Sequence, residues 1–258
     1  MGSPDETVKV RSIMESIDKN RPMQGLEWDN PYRIRSYREL INWVNEVGFL
    51  PLFKNEVPSF SAEEHVSDLY WWTDDEAQDP YIWREIIAGS KEVAYGRFFN
   101  GKEGFISLEW LPYFVNYRRN GADSWIVREE RVTKAACEQV QKAFEKADVY
   151  DGKALLSVAG LDVKEETEAD AILTGLQMRT EMVINDFEVV NIENADGSIE
   201  RMVTPTYMQP EKLWGEWVKH AYGEAPIDSY SRIFCRIQEW FGYEYNDAAM
   251  TVIGRFLY

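Results

Sequence analysis

The sequence predicts an α+β fold, predominantly helical, with small antiparallel β-hairpins. Three observations predict it. Apolar residues recur at helical spacing directly behind capping boxes, as at Ser36 and Glu39 ahead of Tyr37, Leu40, Ile41, Val44 and Val47. Asn100 and Gly101 stand between two strand-like runs, AYGRFF and KEGFIS, and supply the two positive φ angles of a type I′ turn. The 258 residues are 45% hydrophobic, enough apolar material to fill a substantial core.

Each element follows in order along the chain. Residues 1–35 are polar, carry Pro4, Pro22 and Pro31, and show only a weak apolar repeat at Val10, Ile13, Met14 and Ile17, so they read as an arm. Residues 36–121 form a first unit. It opens with the Ser36 helix, which Gly48 ends, and passes through an extended GFLPLF. A second capping box, Ser61 and Glu64, starts a short helix in a stretch where residues 61–79 hold seven carboxylates and no Lys or Arg. Pro80 suits the first turn of the next helix, with Gly89 at its end, and the Asn100-Gly101 hairpin follows. Residues 108–117 complete the unit as a helix that Pro112 restricts to starting near itself, closed by Gly121.

Residues 122–206 repeat the theme. Ala136, Val140, Phe144 and Ala147 mark one helix, residues 153–159 a second, and residues 168–183 a third behind a Thr167 and Asp170 cap. FEVVNI, a turn at Ala195, Asp196 and Gly197, and SIERMV then make a second hairpin. Three helices followed by a two-stranded wing is the winged-helix order. Residues 207–258 read as C-terminal helices.

Charge bears on partners. With 28 basic against 45 acidic residues the chain carries a net charge of −17, and residues 121–200 alone hold 18 acidic and 8 basic side chains. Nucleic acid binding draws much of its affinity from cations on phosphates, so this balance disfavours it. A protein partner or self-association fits better. No run approaches the roughly 18 apolar residues of a membrane span, and MGSPDETVKV lacks a basic region followed by an apolar one, so a cytoplasmic location is expected. Two cysteines, Cys137 and Cys235, fit a reducing compartment.

Residues 70–117 concentrate 13 of the 36 aromatic residues. The block WWTDDEAQDPYIWREIIAGSKEVAYGRFFNGKEGFISLEWLPYFVNYRR, with LTGLQMRTEMVINDF and the later PEKLW, resembles the AlkZ-related winged-helix proteins over roughly residues 36–240. That resemblance implies tandem winged helices and distant similarity to bacterial DNA glycosylases that excise alkylated bases or unhook crosslinks through a Gln-x-Gln or Gln-x-Asp motif. Here the local match is Gln177, Met178 and Arg179. An arginine at the third position neither accepts a proton nor positions water as an amide or carboxylate does. Gln177 is therefore the one catalytic candidate, and a glutamine bonded to neighbouring backbone is its competing reading.

The remaining candidates concern binding. On the 168–183 helix the expected core stripe is Ala169, Ile172, Leu173, Leu176, Thr180 and Val183, which leaves Ala171, Gly175, Met178 and Met182 outward as a protein-contact face. Groove reading wants Arg, Lys, Asn or Gln there instead. Tyr117, Arg118 and Arg119 form an aromatic and basic cluster that Arg97 approaches from the hairpin. A DNA-binding protein would collect these with Arg179 on one concave surface. Trp71, Trp72 and Trp83 either wall a ligand cleft or fill the core. His65 and His220 have no neighbour at metal-ligand spacing, DDEAQD lacks the pattern of a calcium loop, and no dinucleotide, Walker or GxSxG motif occurs, so neither a metal nor a cofactor is expected.

Overall fold

The computed structural model describes residues 21–73, 75–121, 132–193, 199–242, 251–254 and 256. Helix α1, Tyr37–Val47, begins where the side chain of Ser36 accepts the Glu39 N–H at 3.2 Å, while Glu39 Oε2 accepts the Arg35 N–H at 2.8 Å. Leu40, Ile41, Val44 and Val47 form its buried face. Gly48 ends it at φ 101°, and a Cβ there would lie 2.8 Å from the Trp110 indole, so glycine is required on two grounds. Strand β1, Phe49–Pro51, follows.

The second capping box yields a single 3₁₀ turn, Glu63–His65, in place of the expected short helix. Ser61 Oγ does meet Glu64, accepting its N–H at 3.3 Å and donating to Oε2 at 2.6 Å. Glu63 is diverted to another task. Its buried carboxylate accepts the Gln24 and Lys54 N–H groups and pairs with Arg21, so the arm from residue 21 onward is bound to the body. The weak apolar repeat at Val10 to Ile17 lies outside the described residues.

Helix α2, Pro80–Ser90, starts at Asp79, whose carboxylate accepts the Tyr81 and Thr73 N–H groups at 2.8 Å each. Gly89 does not end it. The helix runs one residue further and stops at Lys91 in the left-handed region, φ 62°, while Gly89 lies inside it, where a Cβ would stand 3.2 Å from the Asp186 carboxylate. Strands β2, Val93–Phe99, and β3, Lys102–Ser107, form the expected hairpin, with Asn100 at φ 50° and Gly101 at φ 76°. Helix α3, Leu111–Asn120, has Pro112 in its first turn and Gly121 at its end.

Helix α4, Lys134–Phe144, strand β4, Tyr150–Asp151, helix α5, Gly152–Ala159, and helix α6, Glu166–Met178, precede the second hairpin of β5, Val183–Glu193, and β6, Ile199–Met208. Helix α6 is shorter than its sequence pattern suggests. The Thr180 N–H bonds to Gln177 O at 2.8 Å and the Glu181 N–H to Leu176 O at 3.0 Å, a Schellman stop with Thr180 at φ 56°. Val183 therefore belongs to a strand. The expected Thr167 and Asp170 cap is also absent: Glu165 is the N-cap and makes no side-chain cap bond, and Asp170 instead binds Arg97. The turn at Ala195 to Gly197 lies outside the described residues.

The two hairpins share one six-stranded antiparallel sheet, ordered β1-β3-β2-β5-β6-β4, rather than standing as separate small sheets. Each half repeats one plan. A short strand between two helices returns to pair with the second strand of the following hairpin, β1 with β3 and β4 with β6. The halves then meet through their first hairpin strands at Tyr95 and Ile184. Helix α7, Pro210–Trp214, breaks at Gly215, φ 85°, into the 3₁₀ segment Glu216–Gly223, and helix α8, Pro226–Phe241, closes against α3 through an Asn116 Nδ2 to Ser229 Oγ bond of 2.9 Å. Arg236 of α8 caps α1, donating to Val47 O at 3.1 Å and Glu46 O at 2.6 Å. Within the C-terminal stretch after α8, residues 251–254 and 256 are described and helical.

The aromatic block is mostly interior. Phe99 packs against Phe49, Phe60, Phe98, Phe114 and Phe256, with ring centroids 5.5 to 6.5 Å apart. Trp71 and Trp83 are buried as well.

Candidate functional site

A buried polar cluster lies under α2, where the two halves of the sheet meet. The IWREII run buries almost every side of this helix, and Arg84 and Glu85 are carried inside with the apolar residues. Arg84 is only 2% exposed. Its guanidinium lies 3.8 Å from the Tyr81 ring centre and 4.7 Å from that of Phe187, a desolvated cation–π arrangement. Burial alone would lower its pKa, but Tyr95, Glu103, Tyr81 and Glu85 raise it, so the group stays charged. Among the described residues, Arg84 Nε and Nη1, the Tyr95 hydroxyl and Glu103 Oε2 are buried without a partner at good hydrogen-bonding geometry. Burial first, and then the Glu103 charge, hold the Tyr95 hydroxyl well above its usual range.

Glu85 carries the network outward, accepting from Arg201 of β6 at 2.6 and 3.2 Å. The charge of Glu103 favours the charged forms of both Arg84 and Arg97. Arg97 in turn binds Asp170 at 2.5 Å and Thr174 Oγ1 at 2.8 Å, joining β2 to α6. Three arginines and three carboxylates thus form one charge-balanced chain. The sequence does contain its signal, adjacent charges inside an otherwise apolar helix, but spacing alone does not distinguish them from a solvated face.

The predicted residues occupy definite places. Gln177 is buried, accepting the Arg97 N–H at 3.1 Å and donating to Leu173 O at 3.1 Å, so both ends of its amide serve backbone. Tyr117 and Arg118 are buried too. Arg118 Nε donates to the Tyr117 hydroxyl at 2.7 Å, and its Nη2 donates to Phe98 O. Arg119 holds Glu211 and Thr180 O, with Glu181 at 4.0 Å, and Arg179 lies 3.8 Å from Glu181. Arg118 is buried, and Arg97, Arg119 and Arg179 are half-buried, each beside a carboxylate of the fold. The outward methionine face is also corrected. Met178 is 7% exposed and Met182 fully buried, because the Schellman turn folds the chain back over the end of α6.

The Arg119 and Glu211 pair makes stability depend on pH. Burial would raise the Glu211 carboxyl, yet the hydrogen bond and charge of Arg119 overturn this and hold it below its ordinary 4.5. A carboxylate depressed on folding contributes stability above its unfolded pKa and loses it as pH falls through the folded one. Denaturant titrations across pH should show stability falling from about pH 4.5 downward, with a shallower fall and lower neutral-pH stability in Glu211→Gln.

Apolar side chains do reach solvent at the far end of the β5–β6 hairpin, where Val189, Val190 and Ile192 are 45%, 51% and 40% exposed. Among the described residues, no three His, Cys, Asp or Glu side chains come together to hold a metal, and no helix is long and apolar enough to cross a membrane.

These features define an α+β protein with one antiparallel sheet, two halves of like topology and a charge network buried between α2 and the sheet. The sequence pattern of the AlkZ-related family matches residues 34–255, and the chain belongs to that family. No curated protein and no solved structure matches it.

Proposed function

We propose that the chain is a non-enzymatic interaction module of the cytoplasm whose winged-helix units contact protein. Residues 36–121 would form the first unit, residues 122–206 the second, and residues 207–258 a helical support. The succession α4, β4, α5, α6, β5, β6 supports the winged-helix reading, since three helices precede a hairpin that the short strand between the first two helices joins. The contact surface would be the β5–β6 wing. The observation that carries this is the contrast between solvent-facing Val189, Val190 and Ile192 and the inward, paired state of Arg97, Arg118 and Arg119.

Family membership favours a second reading, a DNA-binding or DNA glycosylase-like repair protein acting on damaged bases. It would rely on Gln177 and on cations for phosphate. A fluorescence titration with labelled duplex DNA at low salt separates the two. The module reading expects no saturable binding. Saturable binding that weakens steeply with added salt would establish phosphate contacts and overturn it.

A further inference from the structure

The contact surface can be taken further on the basis of that reading. Beyond Ile184, strand β5 pairs only with β6, so among the described residues no strand occupies its other edge. Helix α2 touches β5 at Asp186 and Phe187 and, through Glu85, holds Arg201 on the strand opposite Asn191, yet residues 188–193 are exposed without a break. An open strand edge is a template for a further strand, and proteins commonly blunt such edges with lysine or proline. Residues 186–193 contain neither. They carry instead three acids, Asp186, Glu188 and Glu193, interleaved with Val189, Val190 and Ile192. The nearby base on β6, Arg201, is committed to Glu85.

We propose that the β5 edge at residues 188–193 binds an extended, basic segment of a partner protein by strand addition. Main-chain hydrogen bonds would supply affinity, valine and isoleucine would pack against apolar residues of the incoming strand, and the glutamates would select lysine or arginine. The same glutamates oppose pairing with a second copy of this chain, which carries a net charge of −17.

The test is a fluorescence anisotropy titration of the whole chain with three capped peptides. One alternates lysine and valine, one is its counterpart with backbone N-methylation on the pairing edge, and one has glutamate for lysine. The proposal expects the first alone to bind, and Glu188→Lys with Glu193→Lys to weaken it by about tenfold or more while thermal melting stays unchanged. Equal binding of the methylated peptide would show attraction without strand addition and overturn the inference, leaving the module reading intact. Absence of binding by all three also overturns it, whereas the module reading itself stands or falls on the DNA titration. Sedimentation of the same samples covers the remaining occupant: a dimer lost on Val190→Lys would assign the edge to a second copy and refute the basic partner.

Discussion

Arg84→Ala is expected to destabilise the fold by about 3–5 kcal/mol, the range seen when one member of a buried charge group is removed. Glu85 would keep Arg201, but Glu103 would lose the charge of Arg84 and keep that of Arg97. The Tyr81 and Phe187 rings would lose the guanidinium between them. Arg84→Met with Glu103→Gln removes the opposing charges together while keeping volume, and should recover much of the loss, because well-packed apolar replacements of buried ion groups are often neutral. Denaturant midpoints of the single and double variants decide it. A loss for Arg84→Ala below about 1 kcal/mol, the ordinary worth of an exposed pair, would mean the network is solvated.

Phe99→Ala should cost a comparable amount, about 3–5 kcal/mol, as expected for a fully buried phenylalanine. Its ring is the common neighbour of Phe49 from β1, Phe114 from α3, Phe60 from the intervening loop and Phe256 near the end of the chain. No single neighbour can collapse into the space from its own element without releasing another. Leu69→Ala, on a side chain 62% exposed, serves as the control and should change stability by less than about 0.5 kcal/mol.

Local chemistry was legible at several turns and helix ends, although Gly89 and the Thr167 and Asp170 pair did not mark the ends expected of them. Asn100 and Gly101 specify their turn because the alternative is strain, and Ser36 and Gly121 mark helix ends through bonds made within a few residues. Helix α6 shows where that reasoning stops. Its apolar spacing continues through Thr180 and Val183, but tertiary packing over Met178 and Met182 makes the Schellman turn the better solution, and the periodicity passes unbroken from helix into strand. The candidate site was harder still. Arg97 and Asp170 are 73 residues apart and Arg201 and Glu85 are 116 apart, pairings decided by the joining of the two hairpins at Tyr95 and Ile184. A cluster such as Tyr117, Arg118 and Arg119 is equally consistent with a phosphate-binding rim and with an internal clasp until its neighbours are known. Likewise, the open edge of β5 depends on where β2 departs from it.

The central claim is that the cations a nucleic acid would need are already used by the fold. Arginine modification of the native protein with phenylglyoxal, followed residue by residue by mass spectrometry, tests this most directly. Arg38 and Arg232, which keep about half of their side-chain surface in solvent, should react first. Arg84, Arg97, Arg118, Arg119 and Arg179 should react only as the protein unfolds. Rapid modification of Arg97, Arg118, Arg119 and Arg179 together in the native state would place them on an accessible surface and contradict the account.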